Sequence, residues 1–533
     1  MIFTGPHPPT PVPDTSFSSF VLEHARRHAD QVALVDVQGE VSYTYGELLA
    51  AVEQVAGALR TRGFGPGDVL ALLAPNLPQY PVMFHAAASA GGTVVVLNPL
   101  DTTPDLLAHL NGAGAVILVT TEEQAARAAE LMAGSKLREV VVFGQAPGTT
   151  PFAELLAHDG PADGPASGTL APGPATGPLR VTDVDAAGDV VALLHSSGST
   201  GRPKAVMLTH RNMSANVLQT CTATPLDEGE RVLAVAPFHH AFGLLMVMNS
   251  SLRQGATVVT MPRFDPQAYL QAIQDHRITR LYVVPTIAVL LARSPLVDQF
   301  DLSSVRTIVS GGAALDPRIA RICEERLGCR VGQGYGLTEG LVSFMQIDGS
   351  PAGSVGRATP NIEFKIVDIS TGQALGPGQE GEVLIRGPHV MKGYLDAPEA
   401  TREALEPDGF LHTGDLARAD GDGELFLVDR IKELIKYKGQ QVSPVELEAV
   451  LMTHPKVTDA AVIGVPDEEA SEIPKAFLVV KEPVTAQEII TFVAERVAPY
   501  KKIRQVQFID AIPRTPVGKT QRRALKQHQD ATP

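Results

Sequence analysis

The 533-residue sequence predicts an α/β protein with a large N-terminal domain of α/β sheets, a β-rich subdomain and a small α+β C-terminal domain. Three observations carry that reading. Helix-length segments (Ser18 to His28, Thr44 to Arg62) alternate with short apolar strands (Val69 to Leu73, Thr93 to Leu97), the pattern of parallel sheets covered by helices. From Gly372 the texture changes to short strands and turns, GEVLIRG, GFLHTGD and GELFLVD, which form the β-rich part. After Asp429 it becomes helix–strand–strand–helix, with Ser443 capping a helix that starts at Pro444. Between Gln145 and Leu179 a Pro/Gly/Ala-rich stretch, GPADGPASGTLAPGPATGP, reads as a surface excursion.

Composition narrows the function. Apolar residues make up 44% and charged residues 19%, an ordinary globular balance. Cys221, Cys323 and Cys329 supply neither a disulfide framework nor a metal-ligand pair, so a reducing, cytoplasmic setting is expected. The start, MIFTGPHPPTPVPDTS, has no basic region before an apolar one, so no secretory leader is expected. No apolar run approaches eighteen residues, which argues against a membrane span. A net charge of −15 argues against nucleic acid as a partner. Any polyanionic ligand must therefore meet a local basic site.

The most informative segment is VVALLHSSGSTGRPKAVMLTHRN, Val190 to Asn212. An apolar run, Val190 to Leu194, leads into Ser196, Ser197, Gly198, Ser199, Thr200, Gly201 and Lys204, and a second run, Ala205 to Leu208, leads away. Small residues give an adaptable backbone with N–H and hydroxyl donors, suited to wrapping phosphate oxygens. The order Gly201-Arg202-Pro203-Lys204 lacks the G-K-[ST] ending of a Walker A loop, which sets kinase and ATPase readings aside.

Further segments join it in order. Gln333-Gly334-Tyr335-Gly336-Leu337-Thr338-Glu339 combines an aromatic face, a hydroxyl and a carboxylate suited to Mg²⁺. His412-Thr413-Gly414-Asp415 offers a carboxylate at a turn, fit for ribose hydroxyls. Asp429-Arg430-Ile431-Lys432 and Lys436-Tyr437-Lys438-Gly439-Gln440-Gln441 follow, and Pro513-Arg514-Thr515-Pro516-Val517-Gly518-Lys519 places a lysine on a stiff turn.

This ordered set closely resembles the adenylate-forming superfamily of acyl-CoA synthetases, nonribosomal adenylation domains and beetle luciferases. It is most similar to the 4-coumarate:CoA ligase branch, through DRIKELIKYKGQQVSPVELE. The resemblance implies a large domain over residues 1–430, a mobile domain over 431–533, and an active site between them. It implies that the loop from Ser196 to Lys204 holds the β- and γ-phosphates of ATP and that Glu339, with Thr200, binds Mg²⁺. Tyr335, between Gly334 and Gly336, would stack on adenine, Thr338 would touch the α-phosphate, and Asp415 and Arg430 would hold the ribose. Lys432 falls at the hinge. Lys519 would enter for the first half-reaction, and Lys436 with Gln441 after the domain turns. Lys438 and Gly439 would line a pantetheine channel. His240 of Pro237-Phe238-His239-His240 matches a gate between acyl pocket and thiol channel, whereas His239 reads better as a packed imidazole.

By the same resemblance the acyl group lies among His240, Phe242, Gly311, Gly312, Ala313, Gly336, Leu337, Gly340 and Leu341. Plant members of the branch commonly carry Ile-Tyr after the gate histidine, whereas this chain has Ala241-Phe242. Phe242 has no hydroxyl for a phenolic acid, so strict selection for one is not expected. The small residues predict a roomy pocket for a medium-chain, aryl or ring-bearing acid. The acceptor is coenzyme A in one reading, and an amino acid amine or a carrier-protein thiol in the other. The basic tail (Lys501, Lys502, Arg504, Arg522, Arg523, Lys526) either meets the coenzyme's 3′-phosphate or forms a solvated face. A monomer or homodimer is expected. A nucleotide sensor without catalysis would have lost Lys519 or Glu339, and both are present.

Overall fold

The structure is a computed structural model that describes residues 1–157, 179, 181–196, 204–438, 440–467, 469–515 and 520–529. Two large sheets form the N-terminal domain. The first has eight strands, in the order Gly393–Tyr394, Lys204–Thr209, Val190–Ser196, Thr93–Val96, Val69–Leu73, Ala115–Thr121, Glu139–Phe143 and Thr150–Pro151. The second has nine and contains the parallel run Arg330–Leu337, Thr307–Ser310, Arg280–Val283, Arg231–Ala234, Thr257–Thr260 and Val32–Asp36. The expected parallel sheets are thus their interiors. Antiparallel strands close both edges of the second sheet and one edge of the first, where Lys204–Thr209 returns on Val190–Ser196, while the other edge strand, Thr150–Pro151, is parallel to its neighbour.

The helices follow local chemistry. Tyr45–Thr61 starts on a capping box in which Thr44 and Glu47 satisfy each other's N–H groups. Its buried Tyr45 hydroxyl donates to the carbonyls of Leu252 (3.2 Å) and Ala256 (2.7 Å), tying helix to sheet. The helix expected from Ser18 to His28 splits instead, into Phe17–Val21 and a 3₁₀ turn, Ala25–His28. At the break the Phe20 carbonyl accepts from the Arg253 guanidinium at 2.9 Å.

The β-rich part is a five-stranded antiparallel sheet: Phe3–Thr4, Glu363–Val367, Gly381–Arg386, Leu411–Ala419 and Leu425–Arg430. The C-terminal domain has its own core, which includes Ile435, Leu447, Leu451, Val462, Leu478 and Ile489. Ser443 caps helix Pro444–Leu451 as expected, its hydroxyl accepting from the Glu446 N–H at 3.2 Å. A short hairpin, Ile435–Tyr437 with Gln440–Val442, precedes the expected helix–strand–strand–helix order. Its three-residue strands are too short and polar to show a period. Among the described residues no helix is long and apolar enough to cross a membrane.

Candidate active site

The Gly/Ser-rich segment joins the two strands of an antiparallel hairpin, with Ser196 opposite Lys204. Ser197, Gly198, Ser199, Thr200 and Gly201 lie outside the described residues. The Ser196 hydroxyl is buried and has no hydrogen-bond partner among the described residues. Lys204 places its ammonium 4.9 Å above the Tyr394 ring. Tyr394 pairs with Val206 on the outgoing strand, and its hydroxyl donates to Glu339 Oε1 at 2.9 Å. Burial, then the Glu339 charge, raises the Tyr394 pKa, so it stays a donor. Tyr394 therefore bridges the hairpin of Val190–Ser196 and Lys204–Thr209 to the turn bearing Glu339. The sequence reading missed it, because a Tyr in MKGYLD carries no motif of its own.

Thr338 and Glu339 sit on the turn between Arg330–Leu337 and Leu341–Met345. Gly336 is needed there, since a Cβ would lie 2.1 Å from the Leu341 carbonyl oxygen. Leu341 is buried with a φ of 47°, the left-handed region that a branched side chain resists, so packing holds this turn in shape. Glu339 is half-buried. No cluster of three or more His, Cys, Asp or Glu capable of holding a metal occurs among the described residues. Mg²⁺ binds through one or two carboxylates plus phosphates and waters, so a single carboxylate beside a phosphate site suits it.

Beside that turn, Tyr335 donates to Asp415 Oδ2 at 2.5 Å, and the Arg430 Nε lies 3.2 Å from Asp415 Oδ1. Asp415 and Arg430 are register partners on adjacent strands. Gly414 takes a φ of 70° and donates its N–H to Glu382 at 2.9 Å, and Glu382 also bonds His412 at 2.9 Å. Burial, reinforced by Asp415, drives the Tyr335 hydroxyl well above its usual pKa. Burial alone would lower Arg430, but Asp415, Tyr335, Glu433 and Glu339 leave it above its ordinary value. One carboxylate is thus fixed between a neutral donor and a permanent cation.

An apolar cleft of about 70 Å³, partly open to solvent, lies against this group. Its lining brings together His240, Phe242, Gly311, Gly312, Gly336, Leu337, Thr338 and Leu341 of the residues expected from sequence. Met246, Val284, Val309, Ser310 and Met345 also line it and were not foreseen. Val284 and Ser310 could have been found from the ends of the parallel strands, where α/β sheets open their crevices. Ala313 is outside the lining, and so is Gly340, whose missing Cβ serves packing: it would lie 2.5 Å from Ile385 Cδ1 and 2.9 Å from Leu337 Cδ2. Gly311 does make room, since a Cβ there would meet the Phe242 ring at 3.0 Å. Phe242 in turn packs edge-on against Tyr282.

His240 and Phe242 are set by an unusual element, a π-helix over Phe242–Asn249. Gly243 permits it, as a Cβ would lie 2.0 Å from the Pro237 carbonyl oxygen. The Asn249 side chain supports it by donating to the Leu244 carbonyl at 2.7 Å. His239 is pushed down to about 3, mainly by burial and then by His240, and stays a neutral imidazole.

On the C-terminal side Lys432 is exposed in the turn Ile431–Glu433. Lys436 and Gln441 face each other across the short hairpin, both exposed, and the Lys436 N–H donates to Glu472 at 2.8 Å. Lys438 sits at the hairpin end with a φ of 46°. Gly439 and Lys519 lie outside the described residues.

Two folded domains, the bonded group Tyr335–Asp415–Arg430 and an apolar cleft at its edge fit an AMP-forming acid ligase. Residues 21–395 match the model of the AMP-binding enzyme family, and residues 446–519 match the AMP-binding enzyme C-terminal domain. The chain belongs to the AMP-binding enzyme family, among its acyl- and aryl-CoA ligases. It is 38% identical to 4-coumarate–CoA ligase 5 of Oryza sativa subsp. japonica, over 98% of this chain and 97% of that protein. It superposes on ATP-bound MatB from Rhodopseudomonas palustris with a TM-score of 0.86, at 27% identity over 97% of this chain and 99% of that one. For apo MatB the TM-score is 0.75. The anthranilate CoA ligase AuaEII with anthranoyl-AMP gives 0.85, at 26% identity over 97% of this chain and 98% of that one. The amide bond synthetase McbA from Marinactinospora thermotolerans gives 0.84, at 28% identity over 96% and 99%.

Proposed function

We propose that this protein joins a carboxylic acid to ATP, releasing pyrophosphate, and then passes the acyl group from the adenylate to the thiol of coenzyme A, releasing AMP. The observation that carries this reading is the bonded group Tyr335–Asp415–Arg430 at the edge of the apolar cleft. Ribose hydroxyls on Asp415 would bring the α-phosphate to Thr338, at the mouth of an acid pocket walled by Phe242, Val284, Val309 and Met345.

The acid's carboxylate oxygen attacks the α-phosphorus, and the bond from that phosphorus to the bridging oxygen of pyrophosphate breaks. Two anions must approach, so positioning and charge neutralisation supply most of the catalysis. Lys519 is cationic near neutral pH and clamps carboxylate and α-phosphate together. Glu339 and Thr200 would hold magnesium, which would offset phosphate charge when bound. The loop from Ser196 to Lys204 holds the β- and γ-phosphates. The acyl-adenylate hydrolyses easily, and the apolar lining limits water around it.

The domain beginning at residue 431 then turns about Lys432, exchanging Lys519 for Lys436 and Gln441. The thiol sulfur attacks the acyl carbon past His240, along Lys438 and Gly439, and the C–O bond to AMP breaks. Aryl or ring-bearing acids suit the cleft. The three free cysteines agree with a reducing cytoplasm.

The likeness to McbA favours a second reading, in which an amine takes the acyl group and an amide forms. Mass spectrometry of products from ATP, a panel of acids, and either coenzyme A or an amino-acid mixture separates the two. A thioester with AMP supports the first. An amide from amino acids, with none from coenzyme A, overturns it.

A further inference from the structure

Part of the cleft wall belongs to a stretch of chain that two buried asparagines hold from outside the cleft. Strand Arg231–Ala234 of the second sheet leads toward the π-helix Phe242–Asn249 through irregular backbone, Val235 to His240. Buried polar groups in such a segment have no ladder to join and need partners of their own. Asn76 supplies them. It lies in the loop after strand Val69–Leu73 of the first sheet and is 3% exposed. Its Nδ2 donates to the Ala234 and Ala236 carbonyls, each at 2.9 Å, and its Oδ1 accepts from the Phe238 N–H at 2.8 Å. Both amide donors and the amide acceptor thus engage one short segment. The helix that follows, Gln79–Ser89, adds Tyr80, whose ring packs edge-on against buried Phe238 at 5.4 Å.

The segment passes its position to the cleft by backbone contact. A Cβ on Gly243 would lie 2.0 Å from the Pro237 carbonyl oxygen and 2.6 Å from that of Ala236, so the π-helix begins against both carbonyls. The His240 N–H donates to the Pro237 carbonyl at 3.0 Å, and the Leu244 N–H to the His240 carbonyl at 2.8 Å. At the far end the fully buried Asn249 donates to the Leu244 carbonyl at 2.7 Å. His240, Phe242 and Met246, which line the cleft, lie between these two anchors. A π-helix is rare, so its surroundings must hold this one in shape.

We propose that Asn76 and Asn249 are positioning residues that set the acid specificity of the cleft without lining it. Asn76 fixes the carbonyls against which the π-helix begins, and Asn249 fixes the turn that presents Phe242 and Met246. This rests on the reading of the cleft as the acid pocket. Without Asn76 the Ala236 carbonyl and the Phe238 N–H would each lose a partner in a buried place, which favours a shift of the segment.

The test compares Asn76→Ala, Asn249→Leu and Phe242→Ala in the full chain, with cinnamate as the acid and KM measured separately for cinnamate and for ATP. Asn76→Ala and Asn249→Leu are expected to raise KM for cinnamate on the order of tenfold and to change KM for ATP less than about twofold. Hydrogen exchange followed by mass spectrometry is expected to quicken over residues 235–249 in both variants and to stay unchanged over residues 335–345. Leucine keeps the size of the Asn249 side chain, so where Asn76→Ala unfolds, Asn249→Leu carries the test. Equal rises in both KM values, unaltered exchange over residues 235–249, or a KM for cinnamate moved by Phe242→Ala alone overturns the proposal. A KM for cinnamate unmoved in all three variants would refute the cleft as the acid pocket, and the specificity role would fall with it.

Discussion

In the large domain Tyr335 and Arg430 are both bonded to Asp415, across two sheets. In the small domain Lys432, Lys436, Lys438 and Gln441 stand exposed on a turn and a short hairpin. The contrast separates two ways of building half a site. In the proposed mechanism the first group recognises a fixed part of the substrate and is locked by neighbours, so that binding would cost little reorganisation. The second group would enter and leave the site, and in solvent its movement breaks few contacts.

The largest expected effect attacks the moving half. Lys519→Ala is expected to reduce adenylate formation on the order of 10³-fold and largely to spare conversion of supplied adenylate. Pyrophosphate release and adenylate consumption, followed separately, check this; equal losses would remove the distinction between the halves. Next comes the fixed half. Asp415→Ala takes the shared acceptor from Tyr335 and Arg430 and is expected to lower kcat/KM for ATP on the order of 10²-fold. An unchanged KM for ATP would mean that the ribose sits elsewhere.

Lys432→Pro fixes φ and deletes an N–H at the presumed hinge. The second half-reaction should slow about tenfold and the first should change less; an unaffected second step would move the hinge to another residue. Tyr394→Phe sharpens the fixed half, because it frees Glu339 while keeping the ring under Lys204. The magnesium concentration for half-maximal rate is expected to rise about fivefold, and no rise would detach Glu339 from the metal.

The smallest effect concerns pH. Burial raises the Glu448 carboxyl to about 7 despite Arg522 and the Val462 N–H, with Asp429 and Glu433 adding to the rise. A carboxyl raised above its unfolded value keeps a proton that the unfolded chain has lost. Its contribution is therefore complete below the unfolded pKa near 4.5 and is lost as pH rises toward about 7. Glu448→Gln imitates the protonated form, so its stability relative to the unaltered chain should improve between pH 5 and pH 8 by on the order of 2 kcal/mol. Denaturant unfolding at the two values reads it, and a pH-independent difference would show that Glu448 stays ionised.

Much of the proposed site was legible because its chemistry sits in short contiguous runs. Tyr335, Thr338 and Glu339 lie within five residues, and Asp415 and Arg430 belong to segments whose strands the turn residues already marked. Tyr394, Met246 and Ser310 were not legible. Each acts through a neighbour remote in the chain, and nothing local distinguishes it from a core residue. Gly340 shows the converse: its smallness suggested pocket volume, but Ile385 and Leu337 occupy the space.

The sequence by itself determined the α/β class, the β-rich part from Gly372, the cap at Ser443 and the family, because periodicity, capping and contiguous motifs are properties of neighbours along the chain. Only the tertiary structure decided that Val190–Ser196 and Lys204–Thr209 pair as an antiparallel hairpin, that Tyr394 joins Lys204 to Glu339, and that Asp429 bonds the start of helix Pro444–Leu451. Those pairings depend on which strands lie side by side, and that is set by burial of the whole core, not by any one segment.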